Sequence, residues 1–498
     1  MRYLVSRRFV LSGLSSAVAI GAAQAGPPTS SLRPRMRGED IRVKSFGGPD
    51  APVQKSGLSG EAAFAVADVK TGLILENLNG SKALPPASVT KVVTALYALD
   101  ALGSEHRFRT QLLITGGLSN GILKGDLILA GGGDPTLDTI ALAGMAKQLK
   151  SSGVREVRGA FKVYDGALPR VQSIDAEQPD HVGYNPSVSG IALNFNRVHF
   201  EWKRTSNGYG VTMDARAAGY RPDVQTSRMS VVRRQLPVYT YANKNGVDTW
   251  TVASQALGKG GSRWLPVRNP GAYAGDVFRT LARAQGIVLP RAQVVRSLPG
   301  GAQPLVQHSS APLRVIVYDM LKFSNNLTAE MVGLSASLAR DKRPSGLRAS
   351  AGDMSSWAAR TYGMKGTRLV DHSGLGDSSR MRPDDLVTAL VKVRQRGILR
   401  PLLKPISVRD TKGRVVKGHP IKVNAKTGTL NFVSGLGGFM TAADGTEMAF
   451  AILTADTQTR ARVKRADREI PQGAREWNRR SKRLQNTLIV RWGALYGS

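Results

Sequence analysis

The sequence LPPASVTK, residues 84–91, leads into an apolar stretch that ends at Gly103. The apolar residues of this stretch recur at helical spacing, at Val92, Val93, Leu96, Leu99 and Leu102. The paired prolines suit the start of a helix, and the glycine suits its end. Ser88 and Lys91 are three residues apart, so they share one face of a first turn. The stretch therefore predicts a helix that begins by bringing a hydroxyl group close to an amine.

A Lys-Thr-Gly triplet occurs twice, in two different contexts. The first copy, at 70–72, lies between alternating apolar runs, which is typical of a hairpin whose glycine supplies the turn. The second copy lies in AKTGTL, residues 425–430, inside an apolar run that is followed by another strand-like run. We predict that the first copy is a hairpin tip with Lys70 in water. The second copy is predicted to lie on a strand and to carry function.

A third motif, Ser324-Asn325-Asn326, lies within a segment of helical periodicity from 311 to 339. Ser324 begins the only Ser-x-Asn of the chain, and Ser88 begins the only Ser-x-x-Lys. Taken alone, each motif has an ordinary structural interpretation as a helix cap, a solvated lysine or a strand residue. Their order, and their places at a helix start, between helices and on a strand, favour one site built from all three.

The hydroxyl and amine groups of these motifs suggest nucleophilic chemistry. A serine needs a base before it can attack an acyl carbon, and none of the six scattered histidines lies in a nucleophile-elbow motif. A lysine can act as the base if its neighbours lower its pKa until it is neutral near pH 7. Lys91 is the candidate, with Lys426 as a second cation that disfavours its charged form. Ser324 is expected to shuttle a proton, and the N–H groups of Ser88 and Thr429 to stabilise an oxyanion.

The strand with the second Lys-Thr-Gly is suited to binding a peptide along its edge. The Lys426 cation and the hydroxyls of Thr427 and Thr429 would then lie near a terminal carboxylate. Asn326 is expected to orient Lys91 and to bind a substrate amide. The chain has no cysteine, which excludes disulfides, thiolate metal sites and a cysteine nucleophile.

In this order the three motifs resemble those of the penicillin-recognising acyl-serine transferases. More narrowly, the chain resembles the class C low-molecular-mass penicillin-binding proteins, the D-Ala-D-Ala carboxypeptidases/endopeptidases of the type-4 group. The resemblance covers about residues 60–455 and rests on LPPASVTK (84–91), LAGGGDPTL (129–137), YNPSVSGIALNFN (184–196), KFSNNLTAEM (322–331), VDHSGLGDSSRMRP (370–383) and AKTGTLNFVSGLGGF (425–439). That family has a long insertion between its first and second motifs, and so does this chain.

The resemblance implies a serine-type D-Ala-D-Ala carboxypeptidase, with DD-endopeptidase activity as a further option. Its partners would be peptidoglycan stem peptides and β-lactam antibiotics, and it would need no cofactor and no metal ion. Ser88 would be the acylated nucleophile and Lys91 its base, while Asn325 stands where the family commonly has aspartate. The implied residues are Ser88, Lys91, Ser324 and Asn326 as catalytic, and Lys426, Thr427 and Thr429 as substrate-binding.

The expected fold is α+β, with a β-lactamase/transpeptidase-like domain whose mainly antiparallel sheet is flanked by helices. This domain would comprise residues 57–103 and 305–498, and residues 104–304 would form a large β-rich insertion of one or two modules. Residues 371–374 are expected to form a turn near the site, with His372 in a structural role.

The segment 475–497 predicts a basic helix packed on the sheet, with membrane docking as the alternative. Its expected buried stripe is Trp477, Leu484, Leu488, Ile489, Trp492 and Leu495.

The N-terminus indicates export. Residues 1–25 have the charged start, short apolar run and small-residue end of a cleavable signal peptide. Arg7 and Arg8 also fit a twin-arginine signal, with an ordinary secretory signal as the alternative. Residues 26–56 are rich in glycine, proline and charge, which predicts a flexible lead-in. We therefore expect an exported, periplasmic protein.

The formal net charge of +34 favours anionic partners. A wall polymer or an anionic membrane surface suits an exported protein, and no nucleic acid is expected as a partner. The alternative explanation is that the charge serves solubility alone.

Three other functions compete with the carboxypeptidase. A β-lactamase or esterase of the same fold is disfavoured by the large insertion and by the missing deacylation signature. A nucleic-acid binder is disfavoured by the export signal, and a non-catalytic wall-binding protein would tolerate loss of Ser88.

Overall fold

The computed structural model of the protein describes residues 46–497. The expected signal peptide, residues 1–25, and the expected lead-in as far as residue 45 lie outside this described range. Within residues 46–497, no helix has both the length and the apolar character needed to cross a lipid bilayer.

Strands and helices follow one another irregularly along this range. The strands are β1 Glu61–Asp68, β2 Ile74–Leu78, β3 Arg109–Ile114, β4 Leu118–Ser119, β5 Ile122–Leu123, β6 Leu127–Gly131, β7 Glu156–Val157, β8 Phe161–Tyr164, β9 Arg197–Thr205, β10 Gly208–Asp214, β11 Ser227–Val232, β12 Tyr239–Lys244, β13 Val247–Ala253, β14 Gly260–Pro266, β15 Gln293–Val295, β16 Gln303–Ser309, β17 Lys404–Pro405, β18 Lys422–Leu430, β19 Val433–Thr441 and β20 Glu447–Ala455. The α-helices are α1 Ala51–Ser56, α2 Thr90–Leu102, α3 Thr139–Ser151, α4 Pro270–Ala284, α5 Leu313–Phe323, α6 Asn326–Ala339, α7 Leu347–Tyr362, α8 Pro383–Arg394, α9 Thr457–Ala461 and α10 Ala474–Tyr496.

The central sheet is antiparallel and has the strand order β17-β18-β19-β20-β1-β2. Its strands come from the two ends of the described chain, since β1 pairs along its whole length with β20. β19 and β20 are buried almost throughout, as expected of strands covered on both faces. This sheet supplies the rigid strand, β18, on which the second Lys-Thr-Gly lies.

The turn between β1 and β2 holds the first Lys-Thr-Gly, as the sequence predicts. Gly72 has a φ of 74°, a conformation that glycine adopts without steric cost. The Asp68 carboxylate accepts hydrogen bonds from the N–H and the hydroxyl of Thr71, at 2.6 and 2.7 Å. Lys70 is exposed. The first copy is therefore fully accounted for as a hairpin tip.

Helices cover both faces of the central sheet. On one face, helices α2, α5, α7 and α8 bury an apolar core against the alternate alanines of β1 and β20. On the other face α10 packs the ring of Trp492 against those of Phe64 and Phe450, with centroids 5.9 and 5.8 Å apart. The predicted stripe of α10 is buried except for half-buried Leu495. The prediction that this basic helix packs on the sheet is thus confirmed.

A buried ion pair ties α10 to the edge strand β2. Arg491 Nη2 lies 2.8 Å from Glu76 Oε2, and the two side chains are only 4% and 6% exposed. Trp492 Nε1 also donates to Glu76 Oε1, at 3.0 Å. Because several donors satisfy the carboxylate, its burial is compatible with a stable fold.

The residues between α2 and α5 form further sheets. One has the order β15-β8-β6-β3-β16, and the others are β10-β9-β14, β11-β13-β12 and β4-β5-β7. Helices α3 and α4 share their core. The expected fold class, α+β with an additional β-rich region, is confirmed. The strand β16 lies across the expected boundary at residue 304, because it pairs with β3 through Ser309.

The end of the expected flexible lead-in is ordered as helix α1, contrary to that expectation. Pro52 lies in its first turn and is buried, and Gly57 ends it with a φ of 59°. Arg480 of α10 donates to the Gly57 carbonyl at 2.9 Å. The packing of α1 against α10, which composition alone does not reveal, accounts for the helix.

Candidate active site

Ser88 lies on a short 3-10 turn, Ala87–Val89, that runs directly into α2. The preceding residue, Ala87, has a φ of 47°, in the left-handed region that is costly for a residue with a side chain. Two glycines pack closely against this turn. A Cβ at Gly374 would lie 1.9 Å from the Ala87 carbonyl oxygen, and one at Gly428 would lie 2.7 Å from the Pro86 carbonyl oxygen. The surrounding backbone therefore fixes the strained turn that presents Ser88.

The Lys91 amine is the centre of the site. Its Nζ lies 2.9 Å from Ser88 Oγ, 2.8 Å from Asn326 Oδ1 and 2.7 Å from the Ser373 carbonyl oxygen. Its side chain is 0% exposed. The predicted meeting of Ser88 and Lys91 on one helical turn is thus found in the structure, and Asn326 joins them.

Burial is the main cause that holds the pKa of Lys91 well below its ordinary value, and the Lys426 cation acts in the same direction. The carboxylates of Glu330 and Asp371 act in the opposite direction. A lysine whose pKa is lowered in this way can be neutral at physiological pH and can accept a proton. The expected role of Lys426 as the second cation is consistent with this arrangement.

The second motif connects helices α5 and α6. Ser324 ends α5 in the left-handed conformation, with a φ of 59°. Asn325 caps α6 by accepting a hydrogen bond from the Thr328 N–H at 3.0 Å, a role that explains an amide side chain at this position. Asn326 begins α6 and donates through Nδ2 to the Tyr184 carbonyl at 3.0 Å. This bond fixes the orientation of its amide, so Oδ1 faces Lys91.

The third motif lies on β18, as predicted. Lys426 is 2% exposed, and its Nζ donates to Ser324 Oγ at 3.0 Å and to the Thr427 carbonyl at 2.6 Å. Burial, with a smaller contribution from the Lys404 cation, lowers the pKa of Lys426 to about 7. Thr427 and Thr429 alternate with the buried residues of the strand and are exposed. Lys91 is thus in contact with Ser88 and Asn326, and Lys426 with Ser324. Thr427 and Thr429 follow Lys426 on the exposed side of β18.

The outer edge of β18 is open beside the site. The two-residue strand β17 pairs only with Asn424 and Ala425. Within the described range, no strand pairs with the outer side of residues 426–430. An open edge can accept an extended peptide as an added strand.

Sequence reasoning did not include two residues that help to build the site, Glu330 and Tyr184. Glu330 is one helical turn after Asn326, so its i+4 spacing was a signal that could have placed it on the same face. Tyr184 comes from the β-rich region, and no local pattern connects it with Asn326. The segment 371–374 is the turn that was predicted, and its Ser373 carbonyl contacts Lys91.

His372 is wholly buried. Its Nε2 lies 2.8 Å from Ser350 Oγ, and burial lowers its pKa to about 3. The structural role expected for it fits a ring that stays neutral. Within residues 46–497, no group of three or more histidine, aspartate or glutamate side chains is arranged to hold a metal ion.

A groove of about 620 Å³ borders the site on the side of Asp371. Residues 170–177 of the β-rich region form one wall, and residues 345–348 and 376–378 form the other. The β-rich region therefore contributes to the surroundings of the site through this groove as well as through Tyr184.

Comparison with known proteins matches most of the chain to one family of carboxypeptidases. The model of the D-Ala-D-Ala carboxypeptidase 3 (S13) family matches residues 50–474. A D-alanyl-D-alanine carboxypeptidase of Actinomadura sp. (strain R39) is 26% identical over 472 residues, which cover 87% of this chain and 84% of that protein. The D-alanyl-D-alanine carboxypeptidase DacB of Haemophilus influenzae is 26% identical over 423 residues, which cover 80% and 86%.

Solved structures agree on the fold. The crystal structure of penicillin binding protein 4 (dacB) from Haemophilus influenzae has a TM-score of 0.71 at 23% identity, covering 88% of this chain and 99% of that one. The structure of that protein complexed with a novel β-lactam has a TM-score of 0.68 at 22% identity, covering 89% and 99%. From its family match and its relatives, together with the three motifs, the chain belongs to the D-Ala-D-Ala carboxypeptidase 3 (S13) family.

Proposed function

We propose that this protein removes the terminal D-alanine from peptidoglycan stem peptides through an acyl-enzyme on Ser88, and that penicillin acylates the same serine. The observation that carries the proposal is the set of contacts around the Lys91 amine, which touches the Ser88 hydroxyl and two fixed oxygen acceptors. The same chemistry could cut stem-peptide cross-links, which would make the protein a DD-endopeptidase as well.

Burial and the Lys426 cation favour the neutral form of Lys91, and the two acceptors around it orient that neutral amine. Neither Asn326 Oδ1 nor the Ser373 carbonyl can donate a hydrogen bond. A neutral amine has two N–H bonds and one lone pair, so these acceptors take both N–H bonds. The lone pair is then left for the Ser88 hydroxyl, 2.9 Å away. This geometry makes Lys91 the base that takes the Ser88 proton.

Acyl transfer then proceeds in two halves. Ser88 Oγ bonds to the carbonyl carbon between the two D-alanines as its proton passes to Lys91. The C–N bond breaks, and Ser324 relays the proton from Lys91 to the leaving amine of D-alanine. Water then attacks the ester carbon and gives up a proton to Lys91. The ester C–O bond breaks, and Lys91 returns that proton to Ser88 Oγ. With penicillin the amine stays tethered to the acyl group, so the ester persists.

The substrate would lie along the open edge of β18. Its terminal carboxylate would face the Lys426 cation and the hydroxyls of Thr427 and Thr429, and a bound carboxylate would favour the protonated form of Lys426. The N–H groups of Ser88 and Thr429 would stabilise the oxyanion. A Cβ at Gly428 would lie only 3.2 Å from the Ser88 nitrogen, so the strand passes close to the nucleophile at this point.

The test is covalent labelling of the purified protein with fluorescent penicillin, followed by peptide mapping. We expect one adduct on Ser88, none in Ser88→Ala, and normal labelling in Ser81→Ala, an exposed serine in the preceding turn. If folded wild-type protein gives no adduct, the mechanism is wrong and a non-catalytic wall-binding role replaces it. If the adduct hydrolyses within seconds and D-alanine is not released from stem peptides, the protein is a β-lactamase.

We also propose that the protein is exported to the periplasm and associates there with an anionic envelope surface. Export rests on the sequence of residues 1–25, and association rests on the outer face of α10. That face exposes Arg475, Arg479, Arg480, Lys482 and Arg483. Its one acid, Glu476, pairs with Arg479 and Arg480, so the face keeps a positive excess.

Sedimentation with anionic lipid vesicles and with purified wall polymer tests this association. We expect binding that weakens as salt is raised, because the contact is electrostatic. The triple variant Arg475→Glu, Lys482→Glu and Arg483→Glu should lose binding and keep wild-type penicillin labelling. Equal sedimentation of the variant and the wild type would show that the charge serves solubility alone.

A further inference from the structure

Glu330 is a wholly buried carboxylate that the acyl-transfer steps do not use. It lies on α6 one turn after Asn326, and its two oxygens face the segment 371–376. Oε2 accepts a hydrogen bond from the His372 N–H at 3.0 Å, and Oε1 accepts one from the Ser373 N–H at 2.9 Å. Two consecutive peptide groups are thus held by one side chain.

The segment 371–376 is held mainly by side chains. The Asp371 carboxylate accepts from the N–H groups of Gly374 and Gly376, at 2.7 and 2.6 Å. The Ser373 hydroxyl accepts from the Leu375 N–H at 3.2 Å. Side-chain acceptors therefore bind each peptide N–H from 372 to 376. The direction of the Ser373 carbonyl depends on these acceptors, and that carbonyl is one of the two that orient the Lys91 amine.

The packing between α6 and this segment leaves little freedom. A Cβ at Gly333 would lie 2.2 Å from the His372 ring, so the ring lies directly on the helix, one turn after Glu330. On its outer side, the His372 carbonyl accepts from the Thr94 hydroxyl of α2 at 2.6 Å. The segment is therefore clamped between the helix that carries Glu330 and the helix that carries Lys91.

We propose that Glu330 is a positioning residue for Lys91, because its carboxylate fixes the 372–373 peptides so that the Ser373 carbonyl takes an N–H of the Lys91 amine. This inference rests on the proposed role of Lys91 as base. Glu330 does not touch the substrate or the reacting atoms. Its effect reaches them through the Ser373 peptide group.

The charge state of Glu330 depends on the groups around it. No arginine or lysine in the described range forms an ion pair with Glu330. The charged groups that interact with it are Asp371, which is a like charge, and Lys91, which is opposite in sign when protonated. His372 is kept neutral by burial. Glu330 and Asp371 together favour protonated Lys91, against burial and the Lys426 cation. Burial, with the like charge of Asp371, raises the pKa of Glu330 to about 8, so Glu330 carries its full charge only above that pH and acts on Lys91 mainly through the Ser373 carbonyl.

The test compares Glu330→Gln with Ser335→Ala, a half-buried control on the same helix that lies beside Gly133. The rate of acylation by fluorescent penicillin is measured from pH 5 to 9. In Glu330→Gln the amide cannot accept both peptide N–H groups, so the plateau rate should fall by about 10- to 100-fold. A displaced Ser373 carbonyl no longer accepts from protonated Lys91, so the pKa of Lys91 should fall and the acid limb of the profile should move to lower pH.

The control should keep the wild-type limb and plateau. A Glu330→Gln protein that is folded by circular dichroism and acylates with the wild-type rate and limb would overturn the inference. Loss of rate with an unmoved limb would also overturn the inference, because a packing role alone does not change the pKa of Lys91. If the Gln variant does not fold, Glu330→Asp decides: it withdraws the carboxylate from the 372–373 peptides, so the plateau should fall and the limb should move to lower pH. Labelling of Ser88→Ala in parallel would instead show that the proposed function itself is wrong.

Discussion

Replacement of Lys426 by methionine should separate substrate binding from activation of the nucleophile. Methionine keeps an unbranched chain of similar reach but has no charge and no strong donor. Lys426 is 2% exposed and donates to Ser324 and to the Thr427 carbonyl, so its ammonium is held in place before any substrate arrives. The variant removes the one buried cation that is proposed to face the substrate carboxylate.

The expected loss follows from the energy of one charged hydrogen bond. Such a bond contributes about 1.5–3 kcal/mol, which corresponds to about a 10- to 150-fold drop in kcat/KM. The substitution should also shift the pKa of Lys91 in a definite direction. The Lys426 cation lowers the pKa of Lys91, so its removal lets that pKa rise. Lys91 must be neutral to act as base, and therefore the acid limb of the acylation profile should move to higher pH.

The alkaline side of the profile gives a further check. The pKa of Lys426 is lowered to about 7, so its charge is lost as the pH rises through that value. For a substrate with a free carboxylate, wild-type kcat/KM should decline above about pH 7. The Lys426→Met variant has no cation to lose, so this decline should be absent from its profile.

The assay is release of D-alanine from an N-acylated peptide that ends in D-Ala-D-Ala. The other copy of the motif supplies the matched control, since Lys70→Met changes an exposed lysine in the same triplet. The control should match the wild type. A Lys426→Met enzyme within twofold of wild-type kcat/KM, with both limbs in place, would refute the assignment of Lys426 to the substrate carboxylate.

Three further substitutions test the framework of the site. Gly374→Ala should abolish penicillin labelling, because its Cβ would lie 1.9 Å from the Ala87 carbonyl oxygen; normal labelling would mean that the turn can move. Arg491→Met should lower the free energy of unfolding by about 3–5 kcal/mol, because it leaves the Glu76 carboxylate buried without its cation. A loss below 1 kcal/mol in urea denaturation would contradict this. Asn325→Ala should lower the free energy of unfolding by about 1 kcal/mol because it removes a helix cap, whereas Asn325→Asp should keep the wild-type stability. Equal melting temperatures for the two variants would argue against capping.

The sequence was sufficient for those parts of the site that depend on local patterns. The helical spacing after Ser88 predicted that the serine would meet Lys91, and the hairpin signals around Lys70 separated the two Lys-Thr-Gly copies. The apolar stripe of α10 predicted a helix packed on the sheet. In each case the pattern and the local element that it predicts lie within one stretch of the chain.

The rest of the site depends on contacts between distant segments. Asn326 is oriented by Tyr184, which comes from the β-rich region, and no periodicity connects the two. The two bonds from Glu330 to the 372–373 peptides involve backbone groups, whose partners a sequence does not reveal. Likewise α1 is a helix because of its packing on α10, while its composition indicated flexibility.

The shortness of β17 also limits which chains the site can accept. A peptide laid on the free edge at 426–430 and extended past Lys426 would collide with Lys404 and Pro405, which already occupy the edge at Ala425 and Asn424. In the proposed binding mode, the edge is therefore blocked beyond the carboxylate end of the peptide and unpaired along residues 426–430. Pro405 has no N–H to offer, so the outer side of β17 is itself a poor template for another strand. In that binding mode, the two-residue strand would favour cleavage next to a chain terminus, and its proline limits the pairing of this sheet edge with other proteins.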